Sequence, residues 1–552
     1  MNKMLILILV VIIFSVSGCK SQNKNPITQS NKIVINNVRV IVGDGSVFEN
    51  YNVLISDGKI DKITNGEINS KDAKAVDGTG KSLMPGLIDT HIHIFGSFKT
   101  GEEEYTNILQ NEVQNLMSGF LKSGITTVKS LGDPLDLILK LKNQIKNGEI
   151  PGPRLLVVGP NITAINGHPA VTVGGEDPWL RKEFSIEVES VEDARDAVKK
   201  LSDSKVDMIK LVYQGGMVDY FNKKININKI SSPIMKAIID EAHLNHLRIT
   251  AHTNYENDVI ELIESGIDGI EHGVVGLPIR NDRTINLFKE KNAYFVPTLQ
   301  ILKLAKDQTT LEIGLTNLKK MDDKNVKIAF GTDMNCGFQA PGVTQLEEID
   351  ILSKAGFTAE KIISFITKNA AEHLGLDTII GTVEVGKNAD LILINGNPLL
   401  DISQLNKIDT VLKNGSIVFG KDLKETKLKQ NNPVSWFDIP VTDIKRAKNF
   451  YESVFKFKMT LIDTPFIKLA MFPISKESTG VSGSIIQTPN NKPSKEGTVI
   501  YFNVDNIDET LSMVEENGGK VTLKKVNLGK QMGFIALFED CEGNIIGLRM
   551  VH

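Results

Sequence analysis

Residues 84–96 read Met-Pro-Gly-Leu-Ile-Asp-Thr-His-Ile-His-Ile-Phe-Gly. A short apolar run between Pro-Gly and Phe-Gly reads as a buried strand, and it ends on two histidines. In a strand, residues i and i+2 face the same way, so His91 and His93 can reach one point. Alone, such a pair is as well explained by core packing or coincidence. Seven more apolar runs follow: TTVKSL (126–131), RLLVVGP (154–160), VDMIKLVY (206–213), LRITAHT (247–253), IDGIEHG (267–273), AYFVPTL (293–299) and VKIAFGTD (326–333). Amphipathic helical stretches separate them. Eight strands alternating with helices predict an α/β fold, a (β/α)8 TIM barrel over residues 86–378.

Barrel enzymes build their sites at the C-terminal ends of the strands. Lys210 stands at the end of the fourth run, His252 of the fifth, His272 of the sixth and Asp333 of the eighth. Each residue taken singly has a bland reading, His252 as a core histidine and Gly-Thr-Asp as a turn. Four histidines, a lysine and an aspartate, in order and each at a strand end, predict a metal site.

The flanks of the barrel are written differently. Residues 33–85 (IVINNVRVIVGDGS and after) and 379–421 (GTVEVGKNADLILING and after) are short alternating strands with Gly and Asp turns. They predict one composite β-sandwich assembled from both sides of the barrel. A polar, charged linker at 422–433 (DLKETKLKQNNP) precedes residues 434–552, where WFDIPVTDIKRAKNFYESVFKF and IYFNVDNIDETLSMVEENGG repeat a strand followed by an amphipathic helix. This predicts a separate, duplicated α+β domain.

Residues 33–420 resemble the amidohydrolase superfamily of metal-dependent hydrolases. The matching text is PGLIDTHIH, GITTVKSLGD, the Lys210 strand, AHTN, IEHG, FGTD, TKNAAEHLGL and GTVEVGKNADLILI. The resemblance implies two divalent metal ions. His91, His93 and Asp333 would bind the first, and His252 and His272 the second. Lys210 would be carbamylated by CO2 and bridge the two; a bare ammonium would repel both ions, whereas a carbamate is an anionic two-oxygen ligand. The alternative is a plain amine beside a mononuclear site. Zinc is the default for a histidine-rich hydrolytic site, with iron, manganese and cobalt as alternatives. A metal-bridged hydroxide would attack the amide carbonyl, and Asp333 would carry the proton to the leaving nitrogen.

Within the superfamily, GPRLLVVGPNITAINGHP followed by IKLVYQGG resembles imidazolonepropionase-like and Xaa-Pro dipeptidase-like members. That likeness implies that His168 reaches over the site toward substrate and, against an equal case for core packing, that Tyr213 lines the pocket. One departure is Asn254, where several peptidase-like relatives carry Tyr or His; Tyr255 follows it. His243 and His246 fit structural or surface positions. His373 suits the C-terminus of its helix and is given no catalytic role. Cys336 follows Asp333 closely but has no base beside it. The substrate class expected is a small amide or peptide-like molecule, with cyclic amides as the alternative; a non-catalytic ligand-binding lipoprotein is the rival from another class.

Residues 434–552 resemble the vicinal oxygen chelate superfamily, which includes glyoxalase I and bleomycin-resistance proteins. This implies paired βαβββ units. Metal-using members place ligands early in the first strand and in the last, where this chain has Trp436 and Gly547; the carboxylates Asp438 and Glu539 remain nearby. Without a histidine these are poor evidence for a chelate, so the domain reads as a binding or dimerisation module, and a homo-oligomer is one outcome it allows.

Composition sets the outer limits. The 552 residues carry 63 Lys+Arg against 67 Asp+Glu, a net charge of −4 that gives no basis for nucleic-acid binding. Three cysteines, Cys19, Cys336 and Cys541, exclude a disulfide scaffold. Residues 1–18 (MNKMLILILVVIIFSVSG) place Lys3 before an apolar run too short to span a bilayer, then small residues and Cys19. Val-Ser-Gly-Cys resembles a bacterial lipobox. It implies a signal peptide over 1–18, lipidation of Cys19, a polar tether over 19–32, and an exported, membrane-anchored lipoprotein of the cell envelope; ordinary secretion is the alternative.

Overall fold

The computed structural model describes residues 32–70, 72–96, 101–220, 223–305, 307–420, 436–463, 468–473, 481–488, 492–527 and 533–550. The signal peptide, Cys19, nearly all of the tether and the 422–433 linker lie outside them. Among the described residues, no helix is long and apolar enough to cross a membrane.

Eight parallel strands form the barrel: β1 (Leu87–His93), β2 (Ile125–Ser130), β3 (Arg154–Val157), β4 (Met208–Val212), β5 (Arg248–Thr253), β6 (Gly269–His272), β7 (Tyr294–Val296) and β8 (Lys327–Ile328). β1–β2–β3 pair in one run and β4–β5–β6–β7–β8 in another. Backbone hydrogen bonds close the ring at both seams: Asp207 N donates to Val157 O at 2.8 Å, and Thr90 N to Phe330 O at 3.0 Å. β1 and β2 are buried almost throughout because helices cover the outside and packed side chains fill the inside. That is why these strands read as continuous apolar runs.

The two flanks meet in a single sheet. Lys81–Pro85 pairs antiparallel with Leu391–Asn395, and strands from both ends of the barrel join one eight-stranded sheet, seven of them along a single hydrogen-bonding path and Lys74–Asp77 beside it on Ile33–Ile41. Strand alternation gives that sheet two apolar faces. Met84, Ile392, Ile394 and Val411 join the barrel's core, while Leu83, Leu391, Leu393 and Leu412 turn the other way and pack with Ile35, Val53 and Ile55. Arg154 at the start of β3 adds a polar tie, donating from Nη2 to Asp390 Oδ2 at 2.9 Å.

The C-terminal domain has its own core, built on Ile439, Phe450, Tyr451, Phe538 and Leu548. Its two halves run strand, helix and three strands: Asp438–Pro440, Ile444–Phe455, Thr460–Asp463, Lys468–Met471 and Ser484–Gln487, then Ile500–Asn503, Ile507–Glu516, Lys520–Asn527, Phe534–Glu539 and Ile545–Met550. In each half the first strand pairs parallel with the last. Asp443 and Asn506 cap the two helices at equivalent places, each accepting from two backbone N–H groups. These caps are the Asp and Asn of the repeated VTDI and VDNI phrases.

Candidate metal centre

The strand ends converge as their order predicts. His91 is buried on β1, and its Nε2 lies 3.3 Å from Asp333 Oδ1; His93 Nε2 lies 3.0 Å from the same oxygen. His272 Nδ1 is 3.8 Å from Asp333 Oδ2. Ligand atoms of His91, His272 and Asp333 all fall within 4.8 Å of one another. The ring of His252 is 4.5 Å from that of His272, and His168 stacks on His252 at 4.8 Å.

The backbone is bent to achieve this. His272 and Asp333 take φ of +66° and +56°, in the left-handed region that non-glycine residues rarely occupy. Thr298, β-branched and therefore more strained there, has φ +46°, and its Oγ1 sits 2.8 Å from His272 Nδ1. Such conformations cost of order 1–3 kcal/mol each. At these three positions the strained backbone aims a side chain, or a partner of one, into the site.

Lys210 is the informative member. It is 2% exposed and its Nζ is buried with no hydrogen-bond partner. Burial pulls its amine down to about 8, against the opposing charges of Glu271 and Asp333. Burial also holds His252 and His272 well below the usual histidine range and brings His168 to about 4, so these rings stay neutral and keep a lone pair for a ligand. Burial would raise Asp333, but the charge of His91 and the hydrogen bonds from His91 and His93 hold it well below the usual range. The opposite balance holds for His93: burial would lower it, and the Asp333 hydrogen bond and charge raise it. Clustered imidazoles, a carboxylate and an orphaned amine form a donor set suited to a divalent cation.

Several supporting residues carried little sequence signal. Glu271, fully buried, holds His91 Nδ1 at 2.8 Å and is itself held by Lys129 Nζ at 2.9 Å. Asp89 accepts from His91 N, Thr332 and Gln345, tying β1 to the loop after β8. Asp133 accepts from the backbone of Ile94 and Phe95, fixing the chain that leaves His93. Gln214 Oε1 lies 2.5 Å from His252 Nε2. Asp89 and Glu271 each fall within two residues of a site histidine, which was the one available hint.

One assignment changes. Tyr213 is not placed as a pocket-lining residue: it is fully buried, its hydroxyl donates to Glu261 at 2.6 Å, and Lys229 lies over its ring. Three residues beyond Lys210 is an odd step along a strand, which turns Tyr213 to the opposite face. His373 ends its helix, Lys368–His373, as expected, and it is fully buried beside Lys129. His243 pairs with Asp268 at the surface, as a structural histidine would. Burial pushes the Cys336 thiol well above its usual range, which suits no nucleophile. In the C-terminal domain, Trp436 Nε1 donates to Asp438, Lys495 pairs with Glu539, and a side chain at Gly547 would collide with the Tyr501 ring.

Residues 82–418 match the model of the amidohydrolase family, and residues 434–548 that of the glyoxalase/bleomycin resistance protein/dioxygenase superfamily. Ochratoxinase of Aspergillus niger is 25% identical over 423 residues, 69% of this chain and 85% of its own. Imidazolonepropionase of Geobacillus sp. (strain WCH70) is 25% identical over 423 residues, 67% of this chain and 91% of its own. The crystal structure of a Xaa-Pro dipeptidase with bound methionine has a TM-score of 0.62 at 27% identity, covering 70% of this chain and 100% of its own. The chain belongs to the amidohydrolase family, and it carries a second, C-terminal domain of the glyoxalase superfamily.

Proposed function

We propose that the barrel hydrolyses the C–N amide bond of a small, peptide-like substrate with two divalent metal ions, zinc by default. His91, His93 and Asp333 would hold one ion, His252 and His272 the other, and Lys210, as its carbamate, both. The observation that carries this reading is the Lys210 amine, buried without a hydrogen-bond partner and near enough to His252 and His272 for its charge to act on both. A lysine in that position is costly as an ammonium and useful as an anionic ligand. Its lowered pKa also favours the neutral amine, the form that reacts with CO2.

The metals would supply a water of lowered pKa and a polarised carbonyl. The protein's part is orientation and proton movement. Asp333, held by His91 and His93, takes the proton of the attacking water at its carboxylate and returns it to the leaving nitrogen. It is a carboxylate at neutral pH, with lone pairs free to accept. His168 stays neutral and is oriented by Thr172 Oγ1 at 2.6 Å, so it offers a polar ring atom to substrate without adding charge.

The relatives favour amide chemistry: one is a dipeptidase, and the ochratoxinase and imidazolonepropionase share most of their length with this chain. The reading includes export, with Cys19 lipidated and the enzyme held at the bacterial cell envelope. A screen of the metallated chain against Xaa-Pro dipeptides, N-acyl amino acids and cyclic amides tests the chemistry, with elemental analysis alongside. Radiolabelled palmitate incorporation, lost in Cys19→Ala, tests the anchor.

A further inference from the structure

Beneath the metal centre runs a chain of buried groups that the ligand set does not explain. Glu271 Oε2 faces His91 Nδ1 at 2.8 Å. Its other oxygen, Oε1, accepts from Lys129 Nζ at 2.9 Å and from Thr250 Oγ1 at 2.7 Å. Lys129 Nζ then lies 3.0 Å from His373 Nε2. Lys129, Thr250, Glu271 and His373 are all 0% exposed. They come from β2, β5, β6 and the helix Lys368–His373, so the chain crosses the barrel interior. Gly269 makes room for it: a Cβ there would stand 2.5 Å from His373 Cε1.

A fully buried ion pair contributes little to stability, because desolvating both charges cancels most of their attraction. It does fix geometry. A carboxylate only accepts hydrogen bonds, so Glu271 obliges His91 to carry its proton on Nδ1. That leaves Nε2, the nitrogen that faces Asp333, as the one that takes the metal once its hydrogen bond to Asp333 is given up. Lys129 and Thr250 saturate Oε1 and so reserve Oε2 for His91. His373, accepting from Lys129, limits where the ammonium can sit.

We propose that Lys129, backed by His373, is a positioning residue of the metal centre: by anchoring Glu271 it holds His91 as the Nδ1–H tautomer with Nε2 presented to the metal. This rests on the metal-hydrolase reading above. Partners one step removed from a metal-binding histidine typically set its affinity by ten- to a hundredfold.

The test is zinc affinity of the full chain, measured by competition with a chromogenic chelator. Lys129→Met should weaken zinc binding ten- to a hundredfold and lower kcat with KM little changed. The double variant Lys129→Met/Glu271→Gln removes both charges, so no buried ion is left unpaired. It should fold and still bind zinc more weakly than wild type, since an amide oxygen is the poorer acceptor. A crystal structure of the zinc-loaded wild type should show zinc on His91 Nε2, with Nδ1 still on Glu271. Affinity within twofold of wild type in either folded variant overturns the proposal, as does zinc bound through His91 Nδ1. Those results would leave the hydrolase reading standing. Wild-type protein that takes up no metal would remove both.

Discussion

Replacing Lys210 by Met should make the metal-free protein more stable while removing its function. Met retains most of the buried stem and deletes only the amine, whose Nζ has no hydrogen-bond partner. Leaving such a donor buried costs about 1–3 kcal/mol. The titration of the same amine gives a second figure: its fall from the ordinary 10.5 to about 8 corresponds to about 3 kcal/mol of native-state cost while the group is charged. Lys210→Met should therefore unfold at higher urea, by about 1–3 kcal/mol near neutral pH. The advantage has a defined pH course. With the native pKa below the unfolded one, the unfolded chain binds more protons between pH 8 and 10.5, and wild-type stability rises across that window. The gap between variant and wild type should be widest below pH 8 and close toward 10.5. The two tryptophans make the assay selective: Trp179 lies in the barrel and Trp436 in the C-terminal domain, so Trp436→Phe leaves a barrel reporter. Degassed, CO2-free buffer keeps the lysine unmodified. A metal-free Lys210→Met protein less stable than wild type at pH 7, or a gap independent of pH, would show that the buried amine carries no such cost.

Three further perturbations follow from particular contacts. Gly273 has φ +70° and a Cβ there would stand 1.8 Å from the Phe295 ring, so Gly273→Ala should cost more than about 2 kcal/mol in urea unfolding and weaken metal retention through its neighbour His272. Asp390 is buried and takes hydrogen bonds from Arg154 and from Asn414 N; Asp390→Ala should destabilise the joint between flanking sheet and barrel by about 2–4 kcal/mol, read by the Trp179 signal. Deleting residues 434–552 should leave barrel turnover within about twofold of the full chain, since the two cores are separate; a folded truncation without activity would contradict this.

The candidate ligand residues were legible as polar groups in or at the end of apolar runs, where strand period and barrel topology limit where a polar side chain can point. The supporting residues were not. Lys129 sits in TTVKSL, a string that reads equally well with its lysine in solvent; only barrel closure shows that both strand faces are buried there. Its partner Glu271 is 142 residues away, and no local pattern carries that distance. The pairing of Lys81–Pro85 with Leu391–Asn395 was inferable as a shared β style on both flanks, but not as a register. Tyr213 failed for a simpler reason: proximity to Lys210 in sequence concealed that an odd step changes the face. The repeat of strand and amphipathic helix in the C-terminal domain, by contrast, was readable directly, and its two helices start on caps at equivalent places, Asp443 and Asn506.

The most direct test of the central claim is turnover by fully metallated full-length protein, wild type against Asp333→Asn, across Xaa-Pro dipeptides, N-acyl amino acids and cyclic amides. Wild type should hydrolyse at least one of these classes. Asp333→Asn should lose at least about a hundredfold in kcat with metal still bound, the scale of a positioned proton carrier. No hydrolysis of any class by the metallated wild type, or undiminished turnover by Asp333→Asn, would contradict that claim.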